Sequence, residues 1–281
     1  MKILLFGHQG QVGSALKLAL PAAYQLTKTD IDIRDTPLLN DMISDVTPNI
    51  IINAAAYTDV NGAESHLREA KTTNTFAVAG IANIAKEKNI LFVHYSTDYV
   101  FDGSGQTPWV ENDSPNPINA YGRTKYLGDK AIIESSCPYL ILRTSWVYGE
   151  GNNFIKKISK LIDDKEKISI VSDQIGAPTS ARFLAKATYE AISKTIADKR
   201  LQGLYHICCG GETSWSNFAK SVFKDNSFQE ILSKDYPQVA MRPLNSRLDC
   251  QKFIKHFGIL PPHWQDELQR YLPLALRDQD E

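Results

Sequence analysis

The 281-residue sequence predicts an α/β fold: a doubly wound parallel sheet with helices on both faces and a smaller C-terminal lobe. Three observations carry that expectation. Short, almost purely apolar runs recur at residues 2–6, 50–52, 90–95 and 139–142, and none alternates with polar residues. Runs of that kind suit strands buried on both faces, as in parallel sheets. Between them lie segments with apolar residues at helical spacing, which can supply the crossovers that parallel strands need.

In chain order, the strand over 2–6 precedes a helix over 12–20, and a weaker strand is expected at 24–27. A helix over 38–46 stops ahead of Pro48, and the strand at 50–52 follows. The long helical pattern over 67–88 sets Ala70, Phe76, Ala77, Ile81, Ile84 and Ala85 on one side. Beyond the strands at 90–95 and 139–142, helical patterns at 154–162 and 182–196 are separated by a Gly/Pro segment, 174–179. Residues 204–208 read as one more strand, and 215–223 as a helix with Ser214 as its N-cap. The remainder is rich in Pro, Trp and Arg, with no pattern that assigns an element.

Composition excludes several classes. Lys and Arg total 31 against 32 Asp and Glu, a formal charge of −1, which suits neither a nucleic-acid binder nor a polybasic membrane-surface protein. No apolar run approaches the ~20 residues of a spanning helix. The opening apolar run meets Gly7 at once and no Ala-x-Ala site follows, so it reads as a strand rather than a signal peptide. Cys137, Cys208, Cys209 and Cys250 form no CxxC pair, which points to reduced thiols, a cytoplasmic setting and no metal site.

The turn after the first strand is Gly7-His8-Gln9-Gly10-Gln11-Val12-Gly13, a GxxGxxG that opens a helix. Gly7 permits the tight turn, Gly10 lets backbone approach a pyrophosphate, and Gly13 lets the helix pack on the sheet. The helix N-terminus then offers free N–H groups to phosphates. Residues 1–146 are therefore expected to form a Rossmann-type NAD(P)-binding domain, to which the chain returns at about 179–203. Residues 147–178 and 204–281 are left for a substrate-binding lobe. Asp30, 17 residues past Gly13, is placed to bond an adenosine ribose 2′-hydroxyl, which favours NADH, whereas Lys28 and Arg34 would accept NADPH. Asp32-Ile33 is a second candidate for the adenine edge. Asn53-Ala54-Ala55-Ala56-Tyr57 closes the 50–52 strand with small side chains that leave room for a cofactor.

Tyr121-Gly122-Arg123-Thr124-Lys125 is a YxxxK. Residues four apart share a helix face, so a phenol lies beside an ammonium. A free phenol titrates near ~10, and a neighbouring ammonium together with an oxidised nicotinamide favours its phenolate, so Tyr121 is expected to be lowered. Ser96-Thr97-Asp98 ends the strand at 90–95, where ligands of doubly wound sheets bind, and Thr97 can hydrogen-bond a substrate carbonyl oxygen there.

In that order, the three pieces resemble the extended short-chain dehydrogenase/reductase family. The longer strings HYSTDYVF (94–101), NAYGRTK (119–125), RTSWVY (143–148), GNNF (151–154), DQIGAPT (173–179) and NSRLD (245–249) resemble its dTDP-4-dehydrorhamnose reductases, over essentially the whole chain. The resemblance implies reduction of the 4-keto group of dTDP-4-dehydro-6-deoxy-L-mannose to dTDP-L-rhamnose with NADPH or NADH. It implies a catalytic set of Thr97, Tyr121 and Lys125, with Lys125 also on the nicotinamide ribose. Cofactor contacts are implied at Gly10, Gln11, Val12, Asp30, Asp32, Ile33, Ala55, Ala56 and Tyr57. Substrate contacts are implied at Asp98 and Trp146, with Trp146 flanking the deoxysugar, and at Arg247 facing the diphosphate. Some relatives carry a glutamate after the Gly-rich turn that serves a Mg²⁺-bridged dimer. Ser14 and Ala15 stand here instead, which disfavours the bridge and leaves a monomer or a homodimer. Two alternatives keep the fold: a reductase or epimerase of another 4-keto sugar nucleotide, and a non-catalytic binding protein like the regulatory subunit of methionine adenosyltransferase. Tyr99, where dehydratases need a second carboxyl, argues against dehydration.

Overall fold

The computed structural model describes residues 1–21, 25–29, 31–164, 168–223 and 228–275. The chain runs through β1 (Lys2–Phe6), α1 (Gln11–Ala19), β2 (Gln25–Thr29), α2 (Thr36–Val46) and β3 (Ile50–Asn53). Next come α3 (Leu67–Lys71 and Ala77–Glu87, joined by a π turn at Thr72–Phe76), β4 (Leu91–Thr97), α4 (Ala120–Ser135) and β5 (Tyr139–Thr144). It continues through α5 (Phe154–Asp163), α6 (Ala181–Ala197), β6 (Gly203–His206), α7 (Trp215–Val222), α8 (Gln251–Phe257) and α9 (Trp264–Ala275).

Among the described residues, the main sheet has six strands in the order β6-β5-β4-β3-β1-β2, all parallel. The apolar runs are buried on both faces, and the period of two divides their side chains between two cores. Ile3, Leu5, Ile50, Ile52, Val93, Leu140 and Leu142 pack with Leu16 of α1 and Leu184 and Ile192 of α6. Leu4, Phe6, Ile51, Phe92 and Ile141 point the other way, onto Leu39 of α2, Ile81 of α3 and Ile132 of α4. Strand order reverses beside β1, which has β2 on one side and β3 on the other. That switch point is where a doubly wound sheet opens a crevice at its carboxyl edge.

The sheet takes in residues 203–206, so the chain stays with it slightly past the 203 expected from sequence. Expected strand 24–27 appears as Gln25–Thr29. Ser214 caps α7 by accepting the Asn217 N–H, as expected. The C-terminal α8 and α9 were not foreseen. They bury Phe253, Phe257, Trp264, Leu268 and Tyr271 in the core shared with α6. α9 also ties down neighbouring loops: the Tyr271 hydroxyl donates to Gly149 O at 2.7 Å, and Glu267 accepts from Ser180, the N-cap of α6, at 2.7 Å. Short strand pairs outside the sheet, Ile175–Gly176 with Thr213–Ser214 and Val147–Tyr148 with Thr179–Ser180, knit the remaining segments over its carboxyl edge. The four cysteines carry free thiols. No described helix is long and apolar enough to cross a membrane.

Candidate active site

The Gly-rich turn is fixed by contact. Gly7 has φ +73°, and a Cβ there would fall 2.4 Å from the Ala55 nitrogen, so β1 and the chain leaving β3 meet backbone to backbone. A Cβ on Gly13 would lie 2.1 Å from Gly7 O. Gly10, which a Cβ would barely crowd, is the N-cap of α1 and has no side chain to close the first turn. The first N–H groups of α1 are thus left for an anion. Gly13→Ala is expected to destabilise the fold by about 1–3 kcal/mol, the range for overpacking. An unchanged urea midpoint would show that the turn yields freely.

Beside this turn lies a crevice of about 320 Å³, lined by Gly7, His8, Gln9, Ile31, Asp32, Ile33, Arg34, Ala55, Ala56 and Thr73. Five expected cofactor residues therefore border it: Gly7, Asp32, Ile33, Ala55 and Ala56. Gln11 starts α1 at its edge, while Val12 and Gly13 serve packing. The Tyr57 N–H is held by Asn74 of the π turn at 2.9 Å, and its ring packs in one small cluster with Tyr121. Asp30 lies outside the described residues. Arg34, named at first only as a neighbour, lines the crevice with its guanidinium on both Asp32 oxygens, and it holds that carboxyl below the usual range.

The second group gathers where β4 ends. α4 starts with Asn119, whose side chain accepts the Gly122 N–H at 2.7 Å. It lies hard against residues 98–100: a Cβ on Gly122 would sit 2.1 Å from Tyr99 O, and one on Gly128 would sit 2.3 Å from Asn74 O. These glycines, a signal that the sequence reading passed over, set the distance between α4, the β4 turn and the π turn. Thr97 accepts the Tyr99 N–H at 3.2 Å and donates to Asp98 Oδ1 at 3.1 Å. The Tyr121 ring stands edge-on to Tyr99, with centroids 5.7 Å apart, and the Thr97 hydroxyl lies near its phenol.

One expectation is corrected. Tyr121 is pushed above the ordinary phenol value, first by burial and then by the Asp98 carboxylate; Thr97 opposes the shift. Lys125 shares its helix face but turns its amine inward, donating to Tyr95 O at 2.6 Å and lying 3.1 Å from His94 Nε2. Burial lowers Lys125 to about 8. The phenol is consequently protonated at neutral pH, the form a proton donor requires.

Burial raises Asp98 to about 7, with the Ser246 and Thr97 hydroxyls opposing. Its free value is 3.8, so folding favours the protonated acid; that stabilisation is full below pH 4 and is lost as pH rises through 7. Asp98→Asn should therefore be the more stable protein at pH 8, by about 1.4 kcal/mol or more. The advantage should vanish near pH 4, and urea midpoints that show the same difference at both values would refute the assignment.

Trp146 is reached through contacts. It has φ +47°, stacks on Trp215 with centroids 3.8 Å apart, and abuts Gly176, where a Cβ would sit 2.8 Å from its ring and 3.1 Å from Ser246. Ser246 in turn neighbours Asp98, so Gly176 and Ser246 stand between Trp146 and the Asp98 carboxyl. Arg247 is further out. It pairs with Glu212 on the wall of a second cavity, of about 380 Å³, that also includes Gly176, Cys208 and Cys250. Among the described residues no cluster of three His, Cys, Asp or Glu side chains is placed to hold a metal ion.

The family model for the RmlD substrate binding domain matches residues 1–276. The dTDP-4-dehydrorhamnose reductases of Shigella flexneri and Escherichia coli K12 are each 40% identical, over 97% of both chains. A solved dTDP-4-dehydrorhamnose reductase from Clostridium acetobutylicum superposes with TM-score 0.92 at 33% identity, covering 98% of this chain and 100% of that one. One from Bacillus anthracis, in complex with NADP, superposes with TM-score 0.89 at 32% identity, covering 96% and 98%.

Proposed function

Because the chain belongs to the RmlD substrate binding domain family, we propose that it is a dTDP-4-dehydrorhamnose reductase, converting dTDP-4-dehydro-6-deoxy-L-mannose to dTDP-L-rhamnose with NADPH or NADH. The observation that carries this reading is Thr97 and Tyr121 together at the end of β4, on the same carboxyl edge of the sheet as the crevice beside Gly7 and the open N-terminus of α1.

The crevice fits a dinucleotide. Gly10 puts no side chain over the first turn of α1, whose N–H groups can bind a pyrophosphate. The nicotinamide, when bound, supplies the hydride for the C4 ketone. Tyr121 gives its phenol proton to the developing alkoxide, and Thr97 hydrogen-bonds the same oxygen. Lys125 binds ribose hydroxyls. Asp98 meets a sugar hydroxyl, Trp146 flanks the deoxysugar, and Arg247 turns from Glu212 to the diphosphate. Binding the nucleotide far from the reacting carbon holds ketone and hydride donor in register, a contribution of up to roughly 7–11 kcal/mol. Residues 147–178 and 207–281 act as the substrate lobe. The protein works in the cytoplasm, as a monomer or a homodimer without a metal bridge.

The test mixes purified protein, NADPH or NADH, dTDP-4-keto-6-deoxyglucose and the matching 3,5-epimerase. Cofactor oxidation with formation of a rhamnosyl nucleotide is expected. Epimerised sugar without net cofactor oxidation would select an epimerase instead, and binding without turnover would select the non-catalytic reading.

A further inference from the structure

Buried beside the catalytic group is a chain of three side chains whose hydrogen-bonding roles can be deduced. Asn53, at the end of β3, lies 3.0 Å from the Ala55 N–H. Only its carbonyl oxygen can accept that proton, so its amide nitrogen faces His94 Nδ1, 3.3 Å away. An amide nitrogen only donates, and His94 Nδ1 is therefore the bare nitrogen of the ring. Burial, the larger cause, holds His94 well below its usual value, so the ring is neutral, and its proton, excluded from Nδ1 by the Asn53 amide, resides on Nε2. That N–H points at Lys125 Nζ, 3.1 Å away. An ammonium has no lone pair to receive it. The contact is a hydrogen bond only when Lys125 is the neutral amine, which can still donate to Tyr95 O.

The geometry points to His94, with Asn53 behind it, as a positioning residue that binds the neutral amine of Lys125 and couples the charge of that lysine to the Asn53–Ala55 contact in the cofactor crevice. When Lys125 takes up a proton, its N–H faces Nε2, and the ring proton must move to Nδ1. Nδ1–H then meets the Asn53 amide N–H. The clash is relieved only if Asn53 rotates and surrenders the Ala55 N–H. Ala55 lines the crevice and touches Gly7, so the lysine charge is linked to the place where a dinucleotide lies. Burial and charge oppose each other at Lys125. Asp129 on α4 favours the ammonium. Arg143 on β5 is paired with Asp129, and His94 and Tyr95 on β4 face the amine directly. The inference rests on the reductase reading only for the work of Lys125, not for the hydrogen-bond logic.

The primary test needs no substrate or cofactor. Protein labelled with ¹⁵N at histidine is followed by NMR from pH 6 to 10, with the His94 ring assigned through its backbone. The expected result is a neutral ring throughout, protonated on Nε2 at the alkaline end and shifting toward Nδ1 as Lys125 gains its proton. A ring carrying its proton on Nδ1 at every pH, or one that does not change, would overturn the inference even if keto-sugar reduction is confirmed. Conversely, failed reduction leaves this readout intact. The second arm is His94→Gln, whose amide can turn an oxygen to the ammonium without Asn53. The alkaline limb of its kcat profile should move up by about one pH unit, a tenfold shift in the lysine equilibrium, with KM for the keto sugar unmoved. An alkaline limb superimposable on the parent would count against the inference.

Discussion

Tyr121→Phe is expected to lower kcat for keto-sugar reduction by ~10²–10⁴-fold, the contribution of a positioned proton donor. In barrier terms this is about 3–5 kcal/mol. The substitution removes one hydroxyl and leaves the ring edge-on to Tyr99, so folding and nucleotide binding should be spared. The size of the effect follows from the site. The phenol is partly buried, and desolvation first, with the Asp98 carboxylate adding, keeps it protonated beside Thr97. Thr97 remains to polarise the ketone, which leaves a residual rate. Steady-state kinetics with NADPH checks the point, and a kcat within threefold of the parent would remove Tyr121 from the reaction.

Asp129→Ala is expected to cost about 3–5 kcal/mol of stability, the usual result of stranding one member of a buried ion pair. Asp129 Oδ2 accepts from Arg143 Nε at 3.0 Å and from the Ser96 hydroxyl at 2.9 Å, and both charged side chains are 3% exposed or less. Alanine would leave the Arg143 guanidinium over the Phe101 ring with no carboxylate. Replacing both partners, Asp129→Leu with Arg143→Met, should recover most of the loss, because no charge is then left buried alone. Urea unfolding of the single and double variants decides it; equal midpoints would contradict the account. The pair joins α4 to β5 directly behind Lys125, so the single variant should also disturb catalysis before it unfolds the chain.

The sheet was legible because its strands bury both faces: Ile3–Phe6 and residues 50–52 have no polar residue to interrupt the run. The Gly-rich turn was legible because its demands are local, within seven residues. α8 and α9 were not, since Pro261 and Pro262 separate two short segments whose apolar residues acquire a face only when α6 is present. The YxxxK spacing put Tyr121 and Lys125 on one side of α4, but spacing is silent on what lies opposite. The inward turn of Lys125 depends on His94 and Tyr95, 31 and 30 residues away. The rise in Tyr121 depends on burial and on Asp98, which spacing along α4 does not report. Gly122 and Gly128 were the overlooked clue: side-chain-free positions on a helix mark where another backbone presses close.

The division of each strand between two cores bears on how such a chain can change over generations. Along β4, His94 and Ser96 reach α4, while Tyr95 hydrogen-bonds Thr188 on α6. Losing or gaining one codon within β4 would exchange those assignments, sending a phenol toward Lys125 and an imidazole to the opposite side. Point changes can adjust this neighbourhood gradually, but length changes cannot, and surviving gene variants must keep their indels in the connecting loops.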